Sequence, residues 1–138
     1  MIDELSYFGG LIDGEGCFTV CKARNKAYSP VFALASTSDV IILFIATVLE
    51  KNNILFSISR FDRKDNSKPF RTVRIQGSKA LIKFILLMKP YILEKRPQAE
   101  LLEQFIEIRS RYAKNNMQWN ETDDVVSSLR KLNKRGIV

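Results

Sequence analysis

The sequence contains no histidine. That single absence removes imidazole general bases, Ser-His-Asp and Cys-His triads, and His-ligated zinc. Hydrolytic chemistry here must rest on carboxylates, hydroxyls, lysine and an oxygen-ligated metal. Cysteine is scarce, with only Cys17 and Cys21, too few for a four-ligand zinc site. The two are four apart in a predicted strand, on one side of it and about 13 Å from each other. A disulfide between them is excluded at that distance, and reduced thiols in a reducing compartment are expected. Long apolar runs are missing as well. The longest, Val40 to Leu49, is broken by Thr47 and falls well short of the roughly 18 residues a membrane span needs. The opening Met1-Ile2-Asp3-Glu4 lacks a basic segment, so no secretory leader is expected. No phosphate-binding loop or dinucleotide fingerprint occurs, which disfavours a nucleotide-dependent small-molecule enzyme. Glycine and proline are few, 6 and 4, and outside residues 9–16 they stand singly as punctuation, without a linker or low-complexity stretch.

What is present describes a globular chain. Its 138 residues, 46% apolar and 27% charged, suit one domain over 1–138, able to bury a core unaided. Lysine and arginine number 22 against 15 acids, a formal charge of +7, which points to a polyanionic partner, with an ordinary basic surface as the alternative.

Periodicity predicts helices over 3–14, 40–51, 78–88, 97–114 and 122–133, and strands over 17–25, 31–37, 54–61 and 70–76. Ser38-Asp39 caps the second helix, and Pro97 opens the fourth at an N1-like position. The order is helix, hairpin, helix, hairpin, helices. An α+β fold follows, with an αββαββα core: a four-stranded antiparallel sheet covered by helices on one face, plus C-terminal helices. The open face should collect Thr19, Asn25, Ser57, Ser59 and Thr72, with Lys22, Arg24, Lys26, Arg60, Arg63, Arg71 and Arg74 dense along the same strands. A twisted basic β-ribbon fits a major groove, and an ordinary solvated sheet face is the alternative. Of these, Arg60, Arg71 and Arg74 are the expected base or phosphate contacts, with Thr72 and Gln76 as adjustable hydrogen-bonders. Phe18 and Val20 put even positions of the first strand inward, which would carry Lys22 and Arg24 inward too. A strand that overhangs the core edge, or one that bulges, resolves that conflict, and the overhang is the expectation taken here.

The first helix is anomalous. Residues 8–16 read Phe-Gly-Gly-Leu-Ile-Asp-Gly-Glu-Gly, four glycines in nine positions. Each interior glycine costs a helix about 1 kcal/mol against alanine. Gly10 and Gly14 share a face, along which another backbone can approach closely. Asp13 and Glu15 sit in the last turn, where the helix dipole disfavours carboxylates. If a twin helix packs alongside, two Glu15 carboxylates converge, and a bound divalent cation resolves the conflict. Oxygen ligands without histidine point to Mg²⁺.

Phe8 to Gly16 resembles the LAGLIDADG motif of homing endonucleases, and the element order resembles that family's core over most of the chain. Pro90 to Lys95 with Gln98-Ala99 is similar to the segment carrying its active-site lysine, and Asp123 to Asn133 to its C-terminal helix. The resemblance implies a single-motif homing endonuclease of intron-encoded type that cuts both strands of a long pseudo-palindromic DNA target as a homodimer. It implies Glu15 as metal ligand and catalytic residue, with the Gly14 carbonyl as a neighbouring metal ligand, and Asp13 as a structural acid at the helix end. Lys95 matches the basic residue near the attacking water. Ser36 falls where single-motif members carry a water-positioning glutamine, a departure from the pattern. Tyr7, Gly10, Asp13 and Gly14 would lie at the dimer interface. Mg²⁺ is the implied cofactor; Mn²⁺ could substitute, and Ca²⁺ would bind without supporting cleavage. No small-molecule cofactor and no membrane partner are expected, and the setting implied is intracellular, in an organelle (chloroplast or mitochondrion) or a microbial cytoplasm. Two other readings are an RNA-splicing maturase or non-cleaving relative of the same fold, and a basic RNA-binding module. The last would expose aromatics such as Phe61 and Phe70 on the sheet for base stacking.

Overall fold

The structure is a computed structural model, and it describes residues 3–22, 28–62, 68–112 and 119–135. Helix α1 (Glu4–Glu15) starts on Asp3, whose carboxylate accepts the backbone N–H of Leu5 and Ser6, a side-chain N-cap. It runs without a loop into strand β1 (Gly16–Lys22), which pairs antiparallel with β2 (Tyr28–Ser36). Helix α2 (Asp39–Lys51) follows, capped by the Ser38 hydroxyl on the Ile41 N–H. Strands β3 (Ser57–Phe61) and β4 (Phe70–Gln76) make the second hairpin. Helix α3 (Ser78–Met88) leads through a 3₁₀ turn at Lys89–Tyr91 into α4 (Arg96–Ser110). A second 3₁₀ turn at Trp119–Thr122 precedes α5 (Asp123–Arg135). Among the described residues, no helix is long and apolar enough to cross a membrane.

The two hairpins join through β2 and β4, so the sheet order is β1-β2-β4-β3, antiparallel throughout. This is the expected α+β architecture with helices on one face. Strand alternation sorts the residues. Phe18, Phe32, Leu34, Val73 and Ile75 face the helices and are fully buried. There they meet Phe8 and Ile12 of α1, Leu81 and Phe84 of α3, and Leu102 and Phe105 of α4. The centre is aromatic: the Phe32 and Phe84 rings lie 4.7 Å apart, Phe18 and Phe32 4.8 Å, Phe8 and Phe84 5.8 Å. Each such ring contributes about 2–3 kcal/mol on burial. The other face carries Thr19, Ser57, Ser59 and Thr72, as expected; Asn25 lies outside the described residues.

One boundary differs in an informative way. The strand expected from Ile54 begins only at Ser57. Helix α2 ends in a left-handed turn at Asn53, φ 57°, and Ile54 drops into the core with its N–H on the Leu49 carbonyl. Tertiary burial, not strand pairing, uses that isoleucine. Helix α4 begins where Pro97 predicts, because a missing N–H costs nothing in a first turn.

Candidate active site

The end of α1 reaches the rim of the sheet, and the sequence makes it do so. Gly16 carries the chain straight from helix to strand. A Cβ there would sit 2.9 Å from both the Ile12 carbonyl oxygen and the Phe32 ring, so only glycine fits the junction. Glu15 is thereby held exposed at the lip of a shallow recess walled by Ala35, Ser36, Thr37 and Phe70. The Ser36 hydroxyl oxygen accepts the Ser38 N–H at 3.0 Å. That bond fixes its position and leaves its own proton to donate.

On the other side of the same helix end lies a second groove, lined by Asp13, Gly14, Lys95, Pro97, Gln98 and Asn133 among others. Asp13 organises it. One carboxylate oxygen accepts the Leu93 N–H at 2.9 Å, the other the Lys95 N–H at 3.0 Å. Asp13 was expected as a structural acid at the helix end and at the subunit interface; its carboxylate is taken up within the chain. Two charge-assisted hydrogen bonds offset the unfavourable dipole at that position. The clamp also pins Lys95, the residue preceding α4, beside Gly14. Lys95 lies close enough to Cys17 for its charge to oppose the effect of burial, which pushes the Cys17 thiol above its usual range. Cys17 and Cys21 are both free thiols on one side of β1, as predicted.

Glu15, Gly14, Lys95 and Ser36, some 80 residues apart at the extremes, thus gather around one helix terminus. The last carbonyls of a helix have no partners within it, and the dipole there is negative. Together with the Glu15 carboxylate they form an oxygen-only, cation-favouring set. Among the described residues, no three acidic or thiol side chains cluster into a complete metal site. One chain offers one carboxylate and a carbonyl, which fits a hard cation completed by phosphate and water oxygens.

The basic residues divide. Arg74 and Gln76 lie on the open face with Thr19 and Ser59, as expected. Thr72 lies there too but is only 6% exposed, hemmed by Ala35 and Ser59 across the strands and by Phe70 and Arg74 along its own. It is too enclosed to serve as an adjustable contact. Arg60 and Arg71, expected on the open face, point to the helix side. They are direct cross-strand partners, and Arg71 shares its parity with buried Val73 and Ile75. Each is tied to a carboxylate: Arg60 to Asp62 at 3.1 Å, Arg71 to Asp39 at the start of α2. Those acids offset the repulsion that two opposed guanidinium groups would otherwise feel. Lys22 escapes burial by the expected overhang. It is exposed, and its partner Tyr28 lies beyond the last core pair, Val20 with Pro30. Arg24, Lys26 and Arg63 lie outside the described residues. A further basic group was not anticipated. Arg130, Lys131 and Lys134 on α5 share a groove with Tyr28, and the Arg130 guanidinium lies 5.9 Å above the Tyr28 ring. The i, i+1, i+4 spacing of those cations was the available signal. Asn133, one turn on, ties α5 to the sheet by donating to the Phe18 carbonyl at 3.0 Å.

An open, half-covered antiparallel sheet with a glycine-rich helix ending at its rim places the chain among α+β proteins built from two helix-and-hairpin units. The particular fold is that of the LAGLIDADG homing endonucleases. The homing endonuclease I-CvuI, solved with a target DNA, superposes with a TM-score of 0.71 at 18% identity, over 94% of this chain and 81% of that one. The group I intron-encoded homing endonuclease I-CeuI, solved with DNA, gives 0.70 at 18% identity, over 95% and 68%. The LAGLIDADG meganuclease I-AabMI, solved with uncleaved DNA, gives 0.64 at 21% identity, over 95% of this chain and 43% of that one. No family model matches the sequence, and no curated protein matches it.

Proposed function

We propose that this chain is a site-specific DNA endonuclease that acts as a homodimer on a pseudo-palindromic duplex and requires a divalent cation. The observation that carries the reading is the position of Glu15: an exposed carboxylate at a helix end, on the rim of an open sheet, with Ser36 on one side and the Asp13-clamped Lys95 on the other. Glu15 and the Gly14 carbonyl would hold Mg²⁺, which supplies a Lewis acid for phosphodiester hydrolysis. Lys95, whose backbone Asp13 holds, brings a positive charge to where the phosphorane-like transition state gains negative charge. Ser36 donates a hydrogen bond toward the recess and orients a water there. Arg74 and Gln76 on the open face, Lys22 at its margin and the cations of α5 hold the duplex. Binding of this kind weakens steeply with salt.

The homodimer is supported by the outer side of α1. Gly10 and Gly14 are exposed, and a Cβ at either would meet nothing within 4 Å, while Tyr7 beside them is 43% exposed. These interior glycines cost the helix stability without serving its own chain. A twin helix against them brings two Glu15 carboxylates together and gives the duplex two sheets.

The test is cleavage and binding measured together on a duplex selected from a randomised library. Glu15→Gln is expected to abolish cleavage in Mg²⁺ while gel-shift affinity in Ca²⁺ stays within about threefold, since the change removes charge without removing shape. Undiminished cleavage by the variant would sink the assignment.

A further inference from the structure

Two aromatic rings stand together on the polar side of the sheet. Phe61 ends β3 and Phe70 begins β4; they are direct register partners, and their rings stack at 5.2 Å with an interplanar angle of 17°. Phe70 has the parity of Arg74 and Gln76, which places the pair on the open face. Phe61 is 45% exposed, and Phe70 forms part of the Glu15 recess. Ser59 and Thr72 are the next pair along the same two strands. A stacked apolar couple embedded in a polar, basic surface is costly to leave in water, and its place beside the acid suggests a ligand that reaches both.

We infer that Phe61 and Phe70 form an apolar contact for thymine methyl groups in the base pairs next to the cleaved bond, which makes them specificity-determining residues. The inference rests on the endonuclease reading. A duplex shows a β-ribbon only the edges of its bases, so ring-on-base stacking is unavailable to these side chains. The one apolar group on a major-groove edge is the C5 methyl of thymine. Cytosine, adenine and guanine edges offer no methyl to fill the contact. Phe70 fixes the position of the contact, because it and Glu15 wall one recess. The thymines involved therefore lie in the base pairs closest to the cut.

The experiment replaces each thymine of the selected target with deoxyuridine, which deletes the methyl and nothing else. Wild-type protein is expected to lose binding by about fourfold, the worth of one buried methyl, at one symmetric pair of positions close to the cut. Phe61→Ala should bind the thymine duplex less tightly and show no further loss on uridine substitution there. Phe61→Leu, which keeps apolar bulk, should retain part of the thymine preference. A selected target with no thymine near the cut would overturn the inference, as would an equal uridine penalty in wild type and Phe61→Ala. Either result, obtained with a protein that still cuts DNA, leaves the endonuclease reading standing. Failure to bind any duplex would sink both.

Discussion

The two sides of α1 use glycine for opposite reasons. On the inner side, Gly9 is buried between Phe8 and the 3₁₀ turn that follows α3, and a Cβ there would lie 2.0 Å from the Tyr91 carbonyl oxygen. On the outer side, Gly10 and Gly14 meet nothing. One glycine is demanded by the chain's own packing; the other two answer to nothing within it. Spacing puts Gly10 and Gly14 on one face of the helix but does not say what Gly9 answers to. Space around the missing Cβ does, and it turns a composition oddity into two distinct, separable demands.

The sharpest way to break the comparison is Gly9→Ala. The clash is with backbone, not with a flexible side chain, so either α1 or the 89–91 turn must shift. A loss of about 3 kcal/mol is expected, at the upper end for overpacking, outweighing the gain of up to about 1 kcal/mol from helix propensity. Urea denaturation, followed by the midpoint and slope, measures it. An unchanged midpoint would show that the Tyr91 turn is free to move and that the inner glycine is no more constrained than the outer ones.

The same contrast shows which parts of the molecule were legible in the sequence. Element order, sheet face and helix caps were readable, because each is set by neighbours close in the chain: Ser38 caps α2 three residues away, and Pro97 starts α4 in place. The placing of Lys95 beside the end of α1 was readable only through the motif and its flanking segment, since Asp13 and Lys95 meet across some 80 residues and no local rule encodes it. Arg60 and Arg71 were misplaced because basic residues were assigned to the open face by chemistry instead of by counting alternation from Val73 and Ile75. The Asp13 clamp was invisible for another reason. Its partners are backbone N–H groups, which every sequence has and no sequence displays. Thr72 was placed on the correct face, but its enclosure depends on cross-strand register, which hairpins of irregular loop length do not announce.

Asp13 offers the next test, since it lies between the two sides of the helix and serves the chain while bordering the candidate site. Asp13→Ala leaves two N–H groups at the start of α4 without acceptors. A loss of about 2 kcal/mol is expected, typical of hydrogen bonds to a charged acceptor, with Asp13→Asn recovering about half of it through its remaining carbonyl oxygen. If the clamp also holds Lys95 in place, cleavage should fall in Asp13→Ala under conditions where the protein is still fully folded. Adding Lys95→Ala to that background should then cost less than it does alone, the signature of residues acting as one unit. Independent, additive losses would confine Asp13 to stability.

The smallest effect on the folded chain, and the most telling sign, belongs to the outer glycines. Gly10→Ala and Gly14→Ala meet no steric obstacle in the chain itself, so each is expected to raise the stability of the isolated subunit by up to about 1 kcal/mol, the ordinary gain of alanine over glycine within a helix. The same methyl groups would hold two α1 helices apart in the proposed dimer. Sedimentation equilibrium should therefore show weaker association and thermal melting at high dilution a higher midpoint, from one substitution. Opposite movement of the two quantities has no explanation in a helix whose outer side faces only water. Parallel movement, with association unchanged or strengthened, would remove the glycine stripe from the interface and leave its cost to α1 without a purpose.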